Sequence, residues 1–134
     1  MRPEVNAREF AVDALVRVEQ GAFSNVLVPT ALRSTGLDDR DRAFATDLVY
    51  GTLRAQRRLD ALLQPALDRP IAELDPAVRA ALRVGVYQLV HGAPPHAAVG
   101  ETVAASPRRA RGLVNAVLRR IARSGPPWTE PADL

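Results

Sequence analysis

The sequence predicts an all-α fold, and three observations support that prediction. Apolar residues recur at three- and four-residue steps along most of the chain, and no segment shows the period of two that a half-buried strand needs. Proline, glycine, asparagine and aspartate stand where helices would begin and end. The 134 residues are 47% hydrophobic and include no cysteine, so the chain is long enough to form one domain with a core that needs no disulfide.

The N-terminal part of the chain predicts two helices. Asn6 and Glu9 have the spacing of a capping box at the start of the first helix, and Gly21 is suited to end it. A second, short helix is predicted to begin near Val28–Pro29, because proline is favourable in a first helical turn. Gly36 should end that helix.

The next two helices are predicted from aspartates and leucines. Asp38 and Asp39 should open the third helix, and Pro65 should kink or shorten the fourth. The residues expected on the inner side of the third helix are Phe44, Ala45, Leu48, Val49 and Leu53, and those of the fourth are Leu59, Leu62, Leu63 and Leu67.

A long amphipathic helix is predicted from Pro76 to about Val90, after a brief turn over 71–74. Asp75 precedes it and is expected to cap its first turn. Arg83 and Tyr87 lie four residues apart and could form a stacked pair, although a structural role is at least as plausible for each. The apolar face is formed by Val78, Ala81, Leu82, Gly85, Val86, Leu89 and Val90.

Two further helices are predicted before the C-terminus. A short one should run over 97–105 and end at Pro107, and the last should run from about Arg109 to Arg123, where Gly125 and two prolines stop it. Residues 1–123 are therefore expected to form one helical domain. Residues 124–134 have the proline-rich composition of a tail or linker.

The charge is unevenly distributed. All eighteen basic residues are arginine, and six of them lie between Thr102 and Thr129, a segment without any acid. The remainder holds twelve arginines and fifteen acids, a charge of −3, so that the two parts sum to the net +3. A basic C-terminal third on a mildly acidic body indicates a polyanionic partner.

The last helix separates apolar from basic residues on a helical wheel. The predicted inner arc holds Ala110, Leu113, Val114, Val117, Leu118 and Ile121, and the opposite arc holds Arg108, Arg111, Asn115, Arg119 and Arg123. The planar guanidinium group of arginine donates paired hydrogen bonds to phosphate oxygens, and an asparagine amide can hydrogen-bond with a base edge. The opposite arc is therefore a candidate RNA-binding surface. The alternative is a merely solvated face, or one paired with Asp38, Asp39 and Asp41. Weaker candidates are Arg2, Arg8, Arg54, Arg57 and Arg58, which could equally form surface ion pairs.

Other functional classes lack their residues in this sequence. His91 and His96 have no cysteine and no nearby acid, so neither a metal site nor a cofactor is expected. No glycine-rich phosphate loop and no nucleophile–base pair are present. The longest apolar runs are too short to span a membrane and the first residues do not form a signal segment, so a cytoplasmic location is the default expectation.

Several motifs resemble the NusB family of helical RNA-binding domains. They are AREFAVDAL at 7–15, LDRPIAELDP at 67–76, LRVGVYQL at 82–89 and VNAVL at 114–118. The family includes transcription antitermination factors and the N-terminal domains of bacterial 16S ribosomal RNA cytosine-C5 methyltransferases. The resemblance implies a bundle of about seven helices in two sub-bundles, with RNA bound through Arg8 and through Arg111, Asn115 and Arg119.

Two segments are more similar to the methyltransferase-associated branch, DRDRAFATDLVYGTLR at 39–54 and PHAAVGETV at 95–103. The expected function is therefore a non-catalytic domain that targets small-subunit ribosomal RNA for a fused or partner methyltransferase domain. Cytosine-C5 methylation needs a cysteine thiolate, which this chain lacks. The alternatives are a free-standing antitermination factor that binds RNA with a ribosomal protein, and a protein-interaction module without an RNA role.

Overall fold

A computed structural model describes residues 5–22 and 24–124, and over those residues the protein is all-α, as predicted. No strand occurs within these two ranges. Seven α-helices follow one another: α1 (Ala7–Glu19), α2 (Ser24–Arg33), α3 (Asp39–Arg54), α4 (Gln56–Leu63), α5 (Pro76–Val90), α6 (Pro95–Ala104) and α7 (Arg111–Ser124). Short 3₁₀ turns at Gln64–Ala66, Ile71–Glu73 and Arg108–Ala110 precede or follow them.

The capping box of α1 is confirmed. The Glu9 backbone N–H donates to the Asn6 side chain over 2.9 Å, and the Asn6 N–H donates to the Glu9 carboxylate over 3.1 Å. The helix ends one residue before Gln20, and Gly21 takes a φ of +111°, which favours glycine. A side-chain cap at its start and a glycine backbone conformation after its end therefore define the bounds of this helix.

The predicted start of α2 was wrong. The helix begins at Ser24, so Pro29 lies inside it. A proline at this position removes one backbone hydrogen bond, and α2 also makes contacts with the rest of the protein. Leu27, Val28 and Leu32 are buried against the core, and the Tyr50 hydroxyl donates to the Ser24 carbonyl over 3.0 Å.

The bounds of α3 and α4 follow the predicted signals. The Asp38 carboxylate accepts a hydrogen bond from the Asp41 N–H over 2.8 Å, which caps α3. Ala45, Leu48 and Val49 are fully buried on its inner side, while Phe44 and Leu53 are half-buried. The α4 helix ends at Leu63, ahead of Pro65, as predicted.

The long helix α5 is the centre of the protein. It begins at Pro76 and ends at Val90 as predicted, and it packs against α1, α3, α4, α6 and α7. Leu82, predicted to face the core, is fully buried. The sequence predicted one buried face, whereas eleven of the fifteen residues are buried. A helix surrounded in this way has almost no solvated side.

The predicted cap of α5 was wrong, and of the two alternatives for Arg83 and Tyr87 the structural one is observed, because distant residues bind the side chains involved. Asp75 makes no capping hydrogen bond, and its carboxylate pairs with Arg109 instead. Arg83 does not stack on Tyr87. Its guanidinium donates Nε and Nη2 to the two oxygens of Asp60 over 2.8 and 2.9 Å, while the Tyr87 hydroxyl donates to Asp47 over 2.9 Å.

Two glycines allow neighbouring helices to approach α5 closely. A Cβ atom built on Gly51 of α3 would lie 2.1 Å from the Tyr87 hydroxyl oxygen, and one on Gly85 would lie 2.5 Å from a methyl group of Leu118. Tyr87 and Leu118 are both buried, so neither can move aside into solvent. The two glycines thus fix the spacing of α3 and α7 from α5.

The helices form two groups that share α5. On one side α1 packs extensively on α3, and α2 contacts both; on the other, α4, α6 and α7 surround α5. Helix α6 begins at Pro95, two residues before the predicted start, because proline at the first position is favourable there. Ser124, assigned to the tail, is the last residue of α7. The predicted proline-rich tail otherwise lies outside the described residues.

Replacement of Gly51 by alanine should destabilise the protein by about 1–3 kcal/mol, the usual cost of forcing an extra methyl group into a packed site. The methyl group would overlap the Tyr87 ring and displace its hydroxyl from Asp47. Urea denaturation measures the effect, and Gly100→Ala is the matched control because its Cβ would meet no atom within 4 Å. Equal unfolding midpoints for both variants would contradict the close contact.

Candidate nucleic-acid interface

Helix α7 lies against α5 and α6 through a buried arc. Ala110, Val114, Val117, Leu118 and Ile121 are buried as predicted. Leu113 is the exception, because 43% of its surface is exposed. The helix is rotated so that Gly112, Leu113 and Ala116 all face solvent. The predicted inner arc was therefore right except at this edge.

The outer face of the helix and of the turn before it is basic. Arg108, Arg109, Arg119, Arg120 and Arg123 are exposed. Arg109 pairs with Asp75, and the other four make no ion pair with any residue in the two described ranges. The predicted alternative, in which these arginines pair with Asp38, Asp39 and Asp41, is not observed there. The positive charge of this face is thus presented to solvent.

Asn115 lies at the border of the basic face. It is half-buried, and its side-chain oxygen accepts a hydrogen bond from Nε of Arg119 over 2.9 Å. One helical turn separates the two residues, so this contact holds the guanidinium along the helix surface. The remaining guanidinium nitrogens of Arg119 are directed to no acid among the described residues, which leaves them available to an anion.

Arg111 was predicted to be exposed, and it is half-buried instead. Its guanidinium donates to the carbonyl oxygens of Ala104 over 2.8 Å and of Ser106 over 3.3 Å. These carbonyls end α6 and begin the turn toward α7, so Arg111 satisfies acceptors that the end of α6 leaves without helical partners. Its position in this structure is that of a residue that joins two helices.

Arg8 is also engaged inside the protein. Its Nε donates to the Gln88 side-chain oxygen over 2.8 Å, one of its terminal nitrogens lies 3.1 Å from Glu101, and its guanidinium lies 5.0 Å from the centre of the Phe44 ring. Burial lowers the pKa of Arg8, and the charge of Glu101 partly opposes that shift. The side chain ties α1 to α5 and α6, while Arg2 lies outside the described residues.

A buried polar network continues from Arg8 toward α7, and sequence reasoning missed its two central residues. The Gln88 amide nitrogen donates to Thr102 over 2.9 Å, and Ser106 donates to the Thr102 carbonyl over 2.7 Å. Gln88 and Thr102 are buried. The available signal was a glutamine within an otherwise apolar stretch of a core helix, which needs a partner when it is buried.

Neither a metal-binding cluster nor a membrane-spanning helix occurs in the described part of the chain. No group of three or more histidine, cysteine, aspartate or glutamate side chains is placed to hold a metal ion there. None of the helices over 5–22 and 24–124 has the length and apolar character needed to cross a membrane.

A profile of the NusB family matches residues 5–123, nearly the whole of the described chain. The chain belongs to the NusB family. This agrees with the sequence motifs on α1, α5 and α7, and with the seven-helix architecture around α5.

Among curated relatives, this NusB-family chain is similar to ribosomal RNA small subunit methyltransferase B of Thermus thermophilus, with 48% identity over 118 residues, and of Pseudomonas putida, with 43% identity over 127 residues. These alignments cover 86% and 90% of the chain, but only 29% of each relative. The chain is therefore homologous to a part of these methyltransferases.

A solved structure has the same fold. T. maritima NusB superimposes with a TM-score of 0.71 over 98% of this chain and 97% of that one, at 18% sequence identity. The prediction of a NusB-like helical bundle is confirmed by this similarity. At such low identity the likeness concerns the fold alone.

Replacement of Arg111 by alanine should lower the free energy of unfolding by about 1–3 kcal/mol, because two backbone carbonyls would lose a charged donor. Arg108→Ala removes the same charge from an exposed position and should change stability by less than about 0.5 kcal/mol. Thermal or urea unfolding of both variants measures the difference. If Arg111→Ala were as stable as Arg108→Ala, the joining role of Arg111 would be wrong.

Proposed function

We propose that this chain is an RNA-binding domain that holds RNA through the outer face of α7. The observation that carries the proposal is the exposed cluster of Arg108, Arg119, Arg120 and Arg123, none of which pairs with an acid in the described ranges. An acid three or four residues away can pair with an exposed helical arginine, but α7 contains no acid. A polyanion is the partner that neutralises such a face.

The shape of the face also suits a nucleic-acid backbone. Gly112 and Ala116 are exposed between the arginines, and a Cβ on Gly112 would meet no atom within 4 Å. Small residues there let a sugar–phosphate chain lie close to the helix while the longer arginine side chains reach its phosphates from both sides. Asn115, next to Arg119, is placed to contact a base edge or a sugar hydroxyl.

Among the predicted RNA-binding residues, we assign the contacts to Arg108, Asn115, Arg119 and Arg123. Arg120 joins them because it is exposed on the same helix. Arg8 and Arg111 support the site from inside: the network through Gln88, Thr102 and Ser106 fixes α6 and the start of α7 relative to α5. A rigidly held helix loses less conformational freedom when RNA binds.

The proposed RNA is small-subunit ribosomal RNA, and the proposed role is to target a cytosine-C5 methyltransferase. Support comes from the relatives of 43–48% identity, which are named as methyltransferases of that subunit. The chain itself contains no cysteine to attack the base. We therefore assign binding to this domain and chemistry to a separate catalytic domain, fused or associated, in the cytoplasm.

Replacement of Arg119 and Arg123 together by glutamine should weaken binding of a ribosomal RNA hairpin by about 2–4 kcal/mol, because two charge-assisted phosphate contacts are lost. With four to six contacts in total, the slope of log affinity against log salt should be about −3 to −4, and it should decrease in magnitude by about 1.4 in the double variant. Fluorescence anisotropy at several salt concentrations measures both quantities.

The matched control for this variant is Arg33→Gln with Arg40→Gln, which removes the same charge from exposed positions on α2 and α3. Its affinity and salt slope should stay near those of the unaltered chain. Circular dichroism checks that all three proteins keep their helicity. Equal loss of affinity in both double variants would show that net charge, and not the α7 face, governs binding.

The assignment to ribosomal RNA predicts selectivity without catalysis. The chain should bind a small-subunit ribosomal RNA hairpin more tightly than a scrambled hairpin of equal length at the same salt concentration, because base and shape contacts add to the phosphate contacts. It should transfer no methyl group from S-adenosylmethionine. Equal affinity for both hairpins would restrict the function to non-selective RNA binding. Binding to neither would favour a protein-interaction module, and preference for an antitermination RNA would favour the transcription factor.

A further inference from the structure

A second basic cluster lies where α3 ends and α4 begins. Arg54, Arg57 and Arg58 fall within five residues there, around the single residue Ala55 that separates the two helices. We call these residues the α3–α4 corner. Arg54 and Arg57 are exposed, and neither makes an ion pair within the described ranges. The corner is separate in sequence from the arginines of α7.

Two adjoining surface cavities open at the corner, and neither is lined by an aspartate or glutamate. The larger, of about 470 Å³, is lined by Leu53, Arg54, Ala55, Gln56, Arg57 and Arg58. The other, of about 290 Å³, is lined by Gly51, Arg54, Ala55, Arg58, Tyr87 and His91. Both are concave, positively charged and large enough for a phosphate group with its nearest sugar.

Three acids near this region accept hydrogen bonds from other groups, and one of them is Asp47, which accepts from the Tyr87 hydroxyl over 2.9 Å. Glu19 accepts from Arg79 over 2.9 Å, and this hydrogen bond lowers the pKa of the Glu19 carboxyl below its ordinary value. Asp60 accepts two hydrogen bonds from Arg83. The charges of Glu19 and Asp60 are thus balanced by Arg79 and Arg83. Arg54 and Arg57 make no ion pair with any residue of the described ranges.

The corner lies toward the same end of the protein as the C-terminal turn of α7. Arg109 pairs with Asp75, the residue just before α5. Leu118 packs on Gly85, which lies in the second half of α5. Helix α7 therefore runs alongside α5 in the same direction. Arg119 and Arg123 then lie toward the end of α5 that carries His91, which lines the corner.

We propose that the α3–α4 corner is a second phosphate-binding site that takes a backbone phosphate of the RNA held by α7. This rests on the proposed RNA-binding function and extends it. A strand that leaves the C-terminal turn of α7 would pass around the end of α5 and place one or two phosphates in the field of Arg54, Arg57 and Arg58. Three arginines around cavities whose linings contain no acid suit such a group.

Inorganic phosphate tests the site without RNA. Titrated into the ¹⁵N-labelled 134-residue chain, phosphate should shift the backbone amides of residues 54–58 in a saturable manner. Arg54→Gln with Arg57→Gln should abolish these shifts. Arg33→Gln with Arg40→Gln, and Arg119→Gln with Arg123→Gln, should retain them. Amides at 54–58 that do not respond, or that respond equally in all variants, would overturn the proposal.

RNA hairpins with and without a single-stranded extension supply the second measurement. The Arg54→Gln and Arg57→Gln variant should bind the extended RNA about tenfold more weakly and lower the magnitude of its salt slope by about 1.4, with little effect on the short hairpin. If only the α7 variant changes the slope, the corner proposal is wrong and the α7 proposal stands. If only the corner variant changes it, the α7 proposal is wrong, and the corner proposal fails with it because the corner would bind RNA without α7.

Discussion

The burial of α5 on nearly every side is the constraint on which the rest of the structure depends. Five helices pack against it, so any position where a neighbour comes close must carry little side-chain volume. Gly85 meets that demand from within α5, and Gly51 meets it from α3. Every polar group on α5 must likewise find a partner inside the protein, since an unpaired buried group costs about 1–3 kcal/mol. Arg83 forms ion pairs with Asp60 and Glu19. The Tyr87 hydroxyl donates a hydrogen bond to Asp47, and the Gln88 side chain hydrogen-bonds with Arg8 and Thr102.

These polar partners connect the core to the proposed RNA surface. Gln88 joins α1 to α6 through Arg8 and Thr102, and Ser106 and Arg111 extend the hydrogen bonds to the start of α7. The arginines of α7 divide accordingly into two kinds. Arg111 faces inward and fixes the helix, whereas Arg119 and Arg123 face outward from a helix that is already fixed. The basic composition of the segment alone does not separate these roles.

Several features decided by near neighbours in sequence were predicted correctly. The capping box at Asn6, the start of α5 at Pro76 and the end of α4 before Pro65 each depend on a few adjacent residues. Two of the errors involve residues distant in sequence. The Asp75 carboxylate, expected to cap α5, pairs with Arg109, 34 residues away, and the first turn of α2 accepts a hydrogen bond from Tyr50.

The candidate site was predictable only in outline, for the same reason. The basic character of the last helix and its buried arc follow from its periodicity, with Leu113 the exception. The internal use of Arg8 depends on Gln88, 80 residues away in the chain. The net charge near the α3–α4 corner depends on which arginines form ion pairs with Glu19 and Asp60. Neither pairing leaves a local pattern in the sequence.

The exclusive use of arginine gives the α7 face a property that a mixed surface would lack. A guanidinium keeps its proton throughout the physiological pH range, so changes in acidity leave the charge of this face intact. Enzymes that acetylate lysine find no substrate on it, because the chain has no lysine side chain. Neither acidification nor lysine acetylation can therefore remove the positive charge of this surface.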